Sequence, residues 1–557
     1  MKRSSSLVSF NFILLGISLT ACGNENNSTT IPDLTSKKPN ILFIMADDLG
    51  YSDLGAFGGE IRTPNLDKLA TEGKILTDFH TAPTCSPTRA QLISGTDHHL
   101  AGIGAMAELM PEHLKGKPGY EGFLNERSVS IAEVLKDNNY RTYISGKWHL
   151  GYTPETNAHA KGFDRSFTLL NGLDLHFKQA PLAYNRNATY TEDGRKLDIS
   201  KLPDHFFSTD YFTDKLIDYL DSGKNSNQSF FAYAAYTAPH WPIQAPLEYR
   251  ERYRGVYDIG YDAIREARIS RQKQLGIIPS NFTAAKPIPS KGNLFKTWDE
   301  LNTNEKALEA RRMEVYAGMV ENMDYNIGRI FDYLKANNLY ENTLIFFVSD
   351  NGAEGSIILP HDEESGFNNS LANVGAESSY HHIGPRWAEV SAAPFHLWKD
   401  TAAEGATTAP AIIKLPNQTI TSEKAHHSFA SILDVFPTIL DYANITPPQN
   451  SYKGRIINTP SGYSWRPMLE NKTTTIRPEN FTFSGELHGS KHARQGDWKI
   501  ALQANPNLGS GQWELFNLKT DRGETQNLAS QYPNKIQDLL RVYQQYTIDN
   551  NVLEYKQ

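Results

Sequence analysis

The sequence predicts an α/β fold: a doubly wound mixed sheet flanked by helices, followed by a smaller C-terminal antiparallel-sheet domain. Three observations predict it. Short apolar runs without polar alternation, at residues 40–45, 141–144, 229–236 and 344–348, have the texture of strands covered on both faces. Helical patterns separate them, at 131–139 and again where Met313, Tyr316, Ala317, Val320, Met323, Ile327, Ile330 and Leu334 recur at helical spacing. Polar residues then cluster just past the strands' carboxyl ends, the edge at which open α/β sheets carry their sites.

The chain opens on a segment that reads as targeting. Lys2 and Arg3 precede an apolar stretch at 7–21, shorter than the roughly 20 residues of a membrane-spanning helix. It ends Leu19-Thr20-Ala21-Cys22, like a bacterial lipobox whose cysteine is lipidated; an ordinary secretory signal is the alternative. The expectation is a signal peptide over 1–22 and a flexible tether over 23–39, rich in Asn, Ser and Thr. The protein is thus expected to be an exported, membrane-anchored lipoprotein facing the periplasm or the cell exterior. Net charge is −8, and removal of the signal leaves 63 acidic against 53 basic residues, which argues against general nucleic-acid binding. The main α/β domain is expected over 40–455, with 249–308 fitting the alternation poorly and read as an insertion near the site. From 456 to 557 the texture turns to short strands at 481–484, 497–501 and 513–516, closed by a helix from 533 to about 546.

Asp47-Asp48 follows the first apolar run and Asp350-Asn351-Gly352 follows the last. Taken singly, the first pair suits a helix cap and the second a turn. Together they place three carboxylates and an amide oxygen at two strand ends, a hard donor set that suits Ca²⁺, and less well Mg²⁺, without a soft ligand for zinc. Lys147 and His149 lie two apart, on one side of an extended segment. By themselves His240, the pairs His98-His99, His381-His382 and His426-His427, and Lys399 read as structural or exposed residues. Cys85 is the only cysteine besides Cys22, and an unpaired cysteine in an exported protein calls for a chemical reason. A thiolate nucleophile with Arg89 four residues on is one reading, and an inert buried thiol is another.

The motifs taken together resemble the formylglycine-dependent sulfatases of the alkaline phosphatase superfamily, the bacterial arylsulfatases above all. The resemblance runs from Pro39 to near the C-terminus. It is densest in Ala46-Asp47-Asp48-Leu49-Gly50, Thr63-Pro64-Asn65-Leu66-Asp67, Cys85-Ser86-Pro87-Thr88-Arg89, Gly146-Lys147-Trp148-His149-Leu150-Gly151, Ala238-Pro239-His240 and Ser349-Asp350-Asn351-Gly352. It implies that Asp47, Asp48, Asp350, Asn351 and the converted residue 85 bind a metal, usually Ca²⁺. Cys-x-Pro-x-Arg is the pattern read by the maturation enzyme that oxidises cysteine to formylglycine, so Cys85 would become the nucleophile as an aldehyde hydrate. Arg89 and Lys147 would hold that hydrate, His149 would serve as its base, and His240 and Lys399 would bind the sulfate and the leaving group. Near Lys399 the chain departs from the pattern, with Glu404-Gly405-Ala406 in place of Glu-Gly-Gly.

The reaction implied is hydrolysis of a small-molecule or sugar sulfate ester to an alcohol or phenol and sulfate. Two rivals use the same residues: a phosphodiesterase or phosphonate monoesterase of the same superfamily, since the two esters share geometry, and a lipid-anchored sulfate-binding protein in which Cys85 is never converted. The irregular stretches 169–205 and 249–308 are expected to shape the substrate pocket.

Overall fold

The computed structural model describes residues 38–178, 188–355, 366–418 and 425–556. The expected signal peptide, Cys22 and nearly all of the expected tether lie outside the described residues. Among the described residues no helix is long and apolar enough to cross a membrane.

Every residue of the strand Asn40–Ala46 is buried, because the strand lies in the middle of a ten-stranded mixed sheet. Phe230–Ala235 and Thr343–Ser349 pair with it in parallel on either side. Successive side chains alternate between the faces of a strand. Leu42, Ile44 and Ala46 therefore enter one apolar cluster, and Ile41, Phe43 and Met45 enter the other. With both faces covered, no position along the run calls for a polar residue. Beyond Phe230–Ala235 the parallel order continues through Arg141–Lys147 and Arg165–Leu169. On the opposite side Ala411–Lys414 runs antiparallel to Thr343–Ser349, and Lys74–Leu76 runs antiparallel to Ala411–Lys414, which makes the sheet mixed.

The helical pattern at 313–334 belongs to a helix of 34 residues, Thr303–Ala336, opened by a reciprocal cap between Asn302 and Glu305. It starts inside the stretch expected to be an irregular insertion. That stretch also holds the helix Tyr261–Leu275, whose buried Arg268 reaches Asp53 at 2.5 Å and Glu60 at 2.7 Å. Asp53 in turn accepts hydrogen bonds from the Gly50 amide at 2.8 Å and the Tyr316 hydroxyl at 2.7 Å. This part of the chain is a helical buttress for the turn that follows the first strand.

At the C-terminal end Thr482–Leu487, Ser490–Gln495, Trp498–Leu502 and Glu514–Asn517 pair antiparallel in sequence order. The helix Pro533–Asp549 lays Leu539 against Ala493, Ile500 and Leu515. Ser490–Gln495 escapes a hydrophobic reading because its buried positions include His492 and Arg494. Lys499 fastens this sheet to the rest: its ammonium lies 2.9 Å from Glu404 and 2.8 Å from Glu524, with all three side chains buried.

His98 and His99 are buried as well. Burial lowers a histidine pKa, but His99 has Asp97 at 3.0 Å and Glu486 at 3.4 Å, and these carboxylates raise it from 6.5 to about 9. For His98, burial and the adjacent His99 prevail and lower it to about 4. Between pH 6.5 and about 9 the folded His99 holds a proton that the unfolded chain has released, so stability falls as pH rises. Between about 4 and 6.5 the neutral His98 gives the opposite slope. Urea unfolding across this range is therefore expected to show His99→Gln with a flatter alkaline fall than the parent protein and, because His99 helps to lower His98, a shallower acid limb as well.

Candidate active site

The site is built at the carboxyl ends of four neighbouring parallel strands. Asp47 and Asp48 follow Asn40–Ala46, and Asp350 and Asn351 follow Thr343–Ser349. Lys147 is the last residue of Arg141–Lys147, and His240 lies in the loop after Phe230–Ala235. Strand ends suit this task because the sheet beneath holds them rigidly while their side chains leave the ladder. Asp48 takes a left-handed backbone, φ 66°, which turns the chain as it leaves the sheet. Gly146 is obligatory for a different reason: a Cβ there would fall 1.8 Å from the Ala235 carbonyl, at a φ of 124°.

Cys85 opens the helix Cys85–Ser94, every residue of which is buried. Its Sγ lies 3.3 Å from Asp47 Oδ1 and 3.8 Å from Asp48 Oδ1. Arg89, one turn on, donates from Nε and Nη2 to Asp350 Oδ2 at 3.0 and 2.8 Å and from Nη1 to the Lys147 carbonyl at 3.2 Å. Lys147 Nζ donates to Asp47 Oδ2 at 2.7 Å. Lys399 lies 2.9 Å from the Asp48 carboxylate, 3.3 Å from Glu354 and 3.4 Å from His240 Nε2. Nine of the ten predicted residues thus meet in one buried cluster.

His149 is placed differently. Its backbone is left-handed, φ 58°, so the expected alignment with Lys147 along an extended segment does not occur. Its Nε2 lies 2.9 Å from Glu108 Oε1, and its buried Nδ1 has no partner. Glu108 and Glu354, the carboxylates beside His149 and Lys399, were not found from the sequence. Glu354 stands three residues beyond Asn351, close enough for the motif to have pointed to it, whereas Glu108 has no such signal.

The Glu404-Gly405-Ala406 departure is absorbed. A Cβ on Gly405 would meet the Leu397 carbonyl at 2.2 Å, so this glycine is required. The next position carries its methyl group in a buried setting, and the Ala406 carbonyl accepts from the Gly352 amide at 2.9 Å.

Burial is the dominant electrostatic fact. It pushes the Cys85 thiol well above its ordinary range, and the nearby Asp350 and Asp47 push it further. Both effects oppose thiolate formation, which weighs against the cysteine-nucleophile reading. Burial would also raise Asp48, but Lys399 above all holds it well below the usual carboxylate range. Burial and the adjacent Asp47 push Asp350 up to about 6. Lys147 and Lys399 resist the lowering effect of burial, Lys147 chiefly through Asp47 and Lys399 chiefly through Asp48. His240 is lowered by burial to about 3 and is neutral at physiological pH.

The donor set fits a hard cation. Asp47, Asp48, Cys85 and His240 offer ligand atoms within 4.8 Å of one another. Asn351 Oδ1 is buried without a partner while its Nδ2 donates to Asp48 at 2.7 Å, so a buried acceptor is left for a cation. Asp350 is not one of that group of four; Arg89 engages one of its oxygens and the Asp48 amide the other, at 3.2 Å.

Residues 39–445 match the family model for sulfatases. The chain belongs to the sulfatase family. It is similar to an uncharacterized sulfatase of Schizosaccharomyces pombe, 43% identical over 533 residues, covering 93% of this chain and 95% of that one. It is also similar to an arylsulfatase of Klebsiella aerogenes, 35% identical over 462 residues, covering 81% of this chain and 95% of that one. The solved structure of Ps i-CgsB in complex with k-i-k-neocarrahexaose superimposes with a TM-score of 0.65 over 93% of this chain and 94% of that one, at 23% identity, and shares the fold. This sulfatase is an enzyme of the sulfuric ester hydrolase class.

Because Arg89 is the direct counter-charge of Asp350, its loss leaves an unpaired buried carboxylate. Arg89→Leu is expected to lower the stability of the metal-free sulfatase by about 3–5 kcal/mol, measured by urea unfolding. Arg89→Lys, which keeps the charge but not the fork, is expected to recover only part of that loss.

Proposed function

We propose that this sulfatase works as an arylsulfatase-type enzyme that uses a formylglycine made from Cys85 and a Ca²⁺ ion held by Asp47, Asp48, Asp350 and Asn351. One observation carries the reading: the only described cysteine sits buried between the two aspartates of an oxygen-rich cluster. When present, the ion supplies a Lewis acid and the aldehyde hydrate supplies an oxygen nucleophile with a second hydroxyl.

The chain's own residues do the rest. Lys147 on Asp47 and Arg89 on Asp350 fix the carboxylates before substrate arrives, so that no reorganisation is needed when charge develops. His240 donates its Nδ1 proton to the Trp241 carbonyl at 2.6 Å, which turns Nε2 toward Lys399 and Asp48. A neutral imidazole held this way accepts a hydrogen bond from the Lys399 ammonium and orients it. Lys399 then binds the ester oxygens and gives the departing oxygen its proton. His149 takes up a proton at Nδ1 as sulfate leaves. The export signal and the lipobox at Cys22 support an anchored, exported enzyme, which on the Cys-x-Pro-x-Arg pattern relies on a separate maturation enzyme. The alcohol half of the substrate is a small molecule or a sugar.

The tryptic peptide spanning residues 75–89 is expected to be lighter than the unmodified sequence by the exchange of a thiol for an aldehyde oxygen. Full activity with an intact thiol would sink the reading. Chelation is expected to remove activity and Ca²⁺ to restore it better than Mg²⁺, and aryl sulfate is expected to turn over faster than a phosphodiester. Lys399→Ala should lower kcat on poorly leaving alkyl sulfates by about 10²–10⁴-fold, and on nitrophenyl sulfate by much less, as loss of an acid requires.

A further inference from the structure

We propose that Glu108 is a positioning residue that fixes the ring of His149 for proton uptake at Nδ1. The proposal rests on the reading of His149 as the base. A carboxylate only accepts hydrogen bonds, so the 2.9 Å contact between Glu108 Oε1 and His149 Nε2 places the imidazole proton on Nε2. In the neutral ring the lone pair is then at Nδ1, the buried atom that has no partner. Without Glu108 the other tautomer competes, and it carries a proton where a base needs a lone pair.

The surroundings are shaped for this pair. Gly172 backs it: a Cβ there would fall 2.6 Å from the ring carbon Cε1 of His149 and 2.8 Å from Glu108 Oε1. Glu108 belongs to a single 3-10 turn, Ala107–Leu109, with a side chain 44% exposed. Such a turn is easily displaced, yet here it is pinned on both sides. Ala105, Met110, Leu114 and Tyr120 form an apolar cluster that Leu553 and Tyr555 cover. The Tyr555 hydroxyl donates to the Leu109 carbonyl at 3.1 Å, and the Leu553 amide donates to the Tyr120 hydroxyl at 2.9 Å. The chain segment after the last helix thus holds in place the turn that carries Glu108.

The test uses the converted, Ca²⁺-loaded enzyme and steady-state kinetics on an aryl sulfate. Glu108→Gln is expected to lower kcat by about 10–100-fold, the usual scale for losing the group that orients a functional histidine, with KM unchanged. Glu108→Asp is expected to recover part of the loss. The thermal midpoint and the formylglycine content of the 75–89 peptide should stay at parent values in both, because the side chain is half-exposed and remote from Cys85 in sequence. His149→Ala is measured alongside. An inactive His149→Ala with an unimpaired Glu108→Gln overturns the role of Glu108 alone. A fully active His149→Ala overturns the reading of His149 and the proposal with it. A Glu108→Gln defect confined to KM, or one that Glu108→Asp does not relieve, also overturns it.

Discussion

Three carboxylates, Asp47, Asp48 and Asp350, are buried within hydrogen-bond reach of one another's neighbours at the ends of adjacent strands, and the rest of the molecule is arranged around neutralising them. Each has its own cation from a different part of the chain: Lys147 from a third strand, Lys399 from a loop, and Arg89 from the helix that opens with Cys85. Buried charges on this scale persist only when paired and hydrogen-bonded, so the strand order, the helix and the loop have to be correct together. Charge balance therefore selects the topology as much as hydrophobic burial does.

The same demand extends outward in layers. The turn after Asp48 is held by Asp53, which Arg268 and Tyr316 hold in turn. The loop that carries Lys399 rests on Gly405 and Glu404, and Glu404 is held by Lys499 from the C-terminal sheet. The small sheet thus reaches the reaction centre through polar contacts, the buried pair of Lys499 and Glu404 and His488 on Asp400 at 2.8 Å among them. Removing the sheet would leave Glu404 without that cation.

Much of this was legible in the sequence, for physical reasons. The central strands announce themselves because a run covered on both faces carries no polar residue, and the ligands lie at the ends of those runs. Cys85 stood out because it is the chain's only cysteine besides Cys22 and opens the pattern Cys-x-Pro-x-Arg. Other features left no trace. Ser490–Gln495 buries a histidine and an arginine among carboxylates and aromatic rings, so it looks polar although it is interior. The spacing of Lys147 and His149 misled because His149 adopts a left-handed backbone, which spacing cannot reveal. Glu108 meets His149 across 41 residues of sequence, from an otherwise ordinary surface turn. Pairings of that kind follow from tertiary packing and have no periodicity to betray them.

The burial of the helix Cys85–Ser94 also orders events in time. Its first residue is 1% exposed and every later one is covered, so no second protein can grip that segment once the fold has closed. An enzyme that acts on Cys85 would have to reach it before the fold closes, while Lys399, more than 300 residues later, is not yet paired with Asp48. If Cys85 is converted as proposed, that chemistry has to precede closure of the fold, and a chain that folds first keeps its thiol.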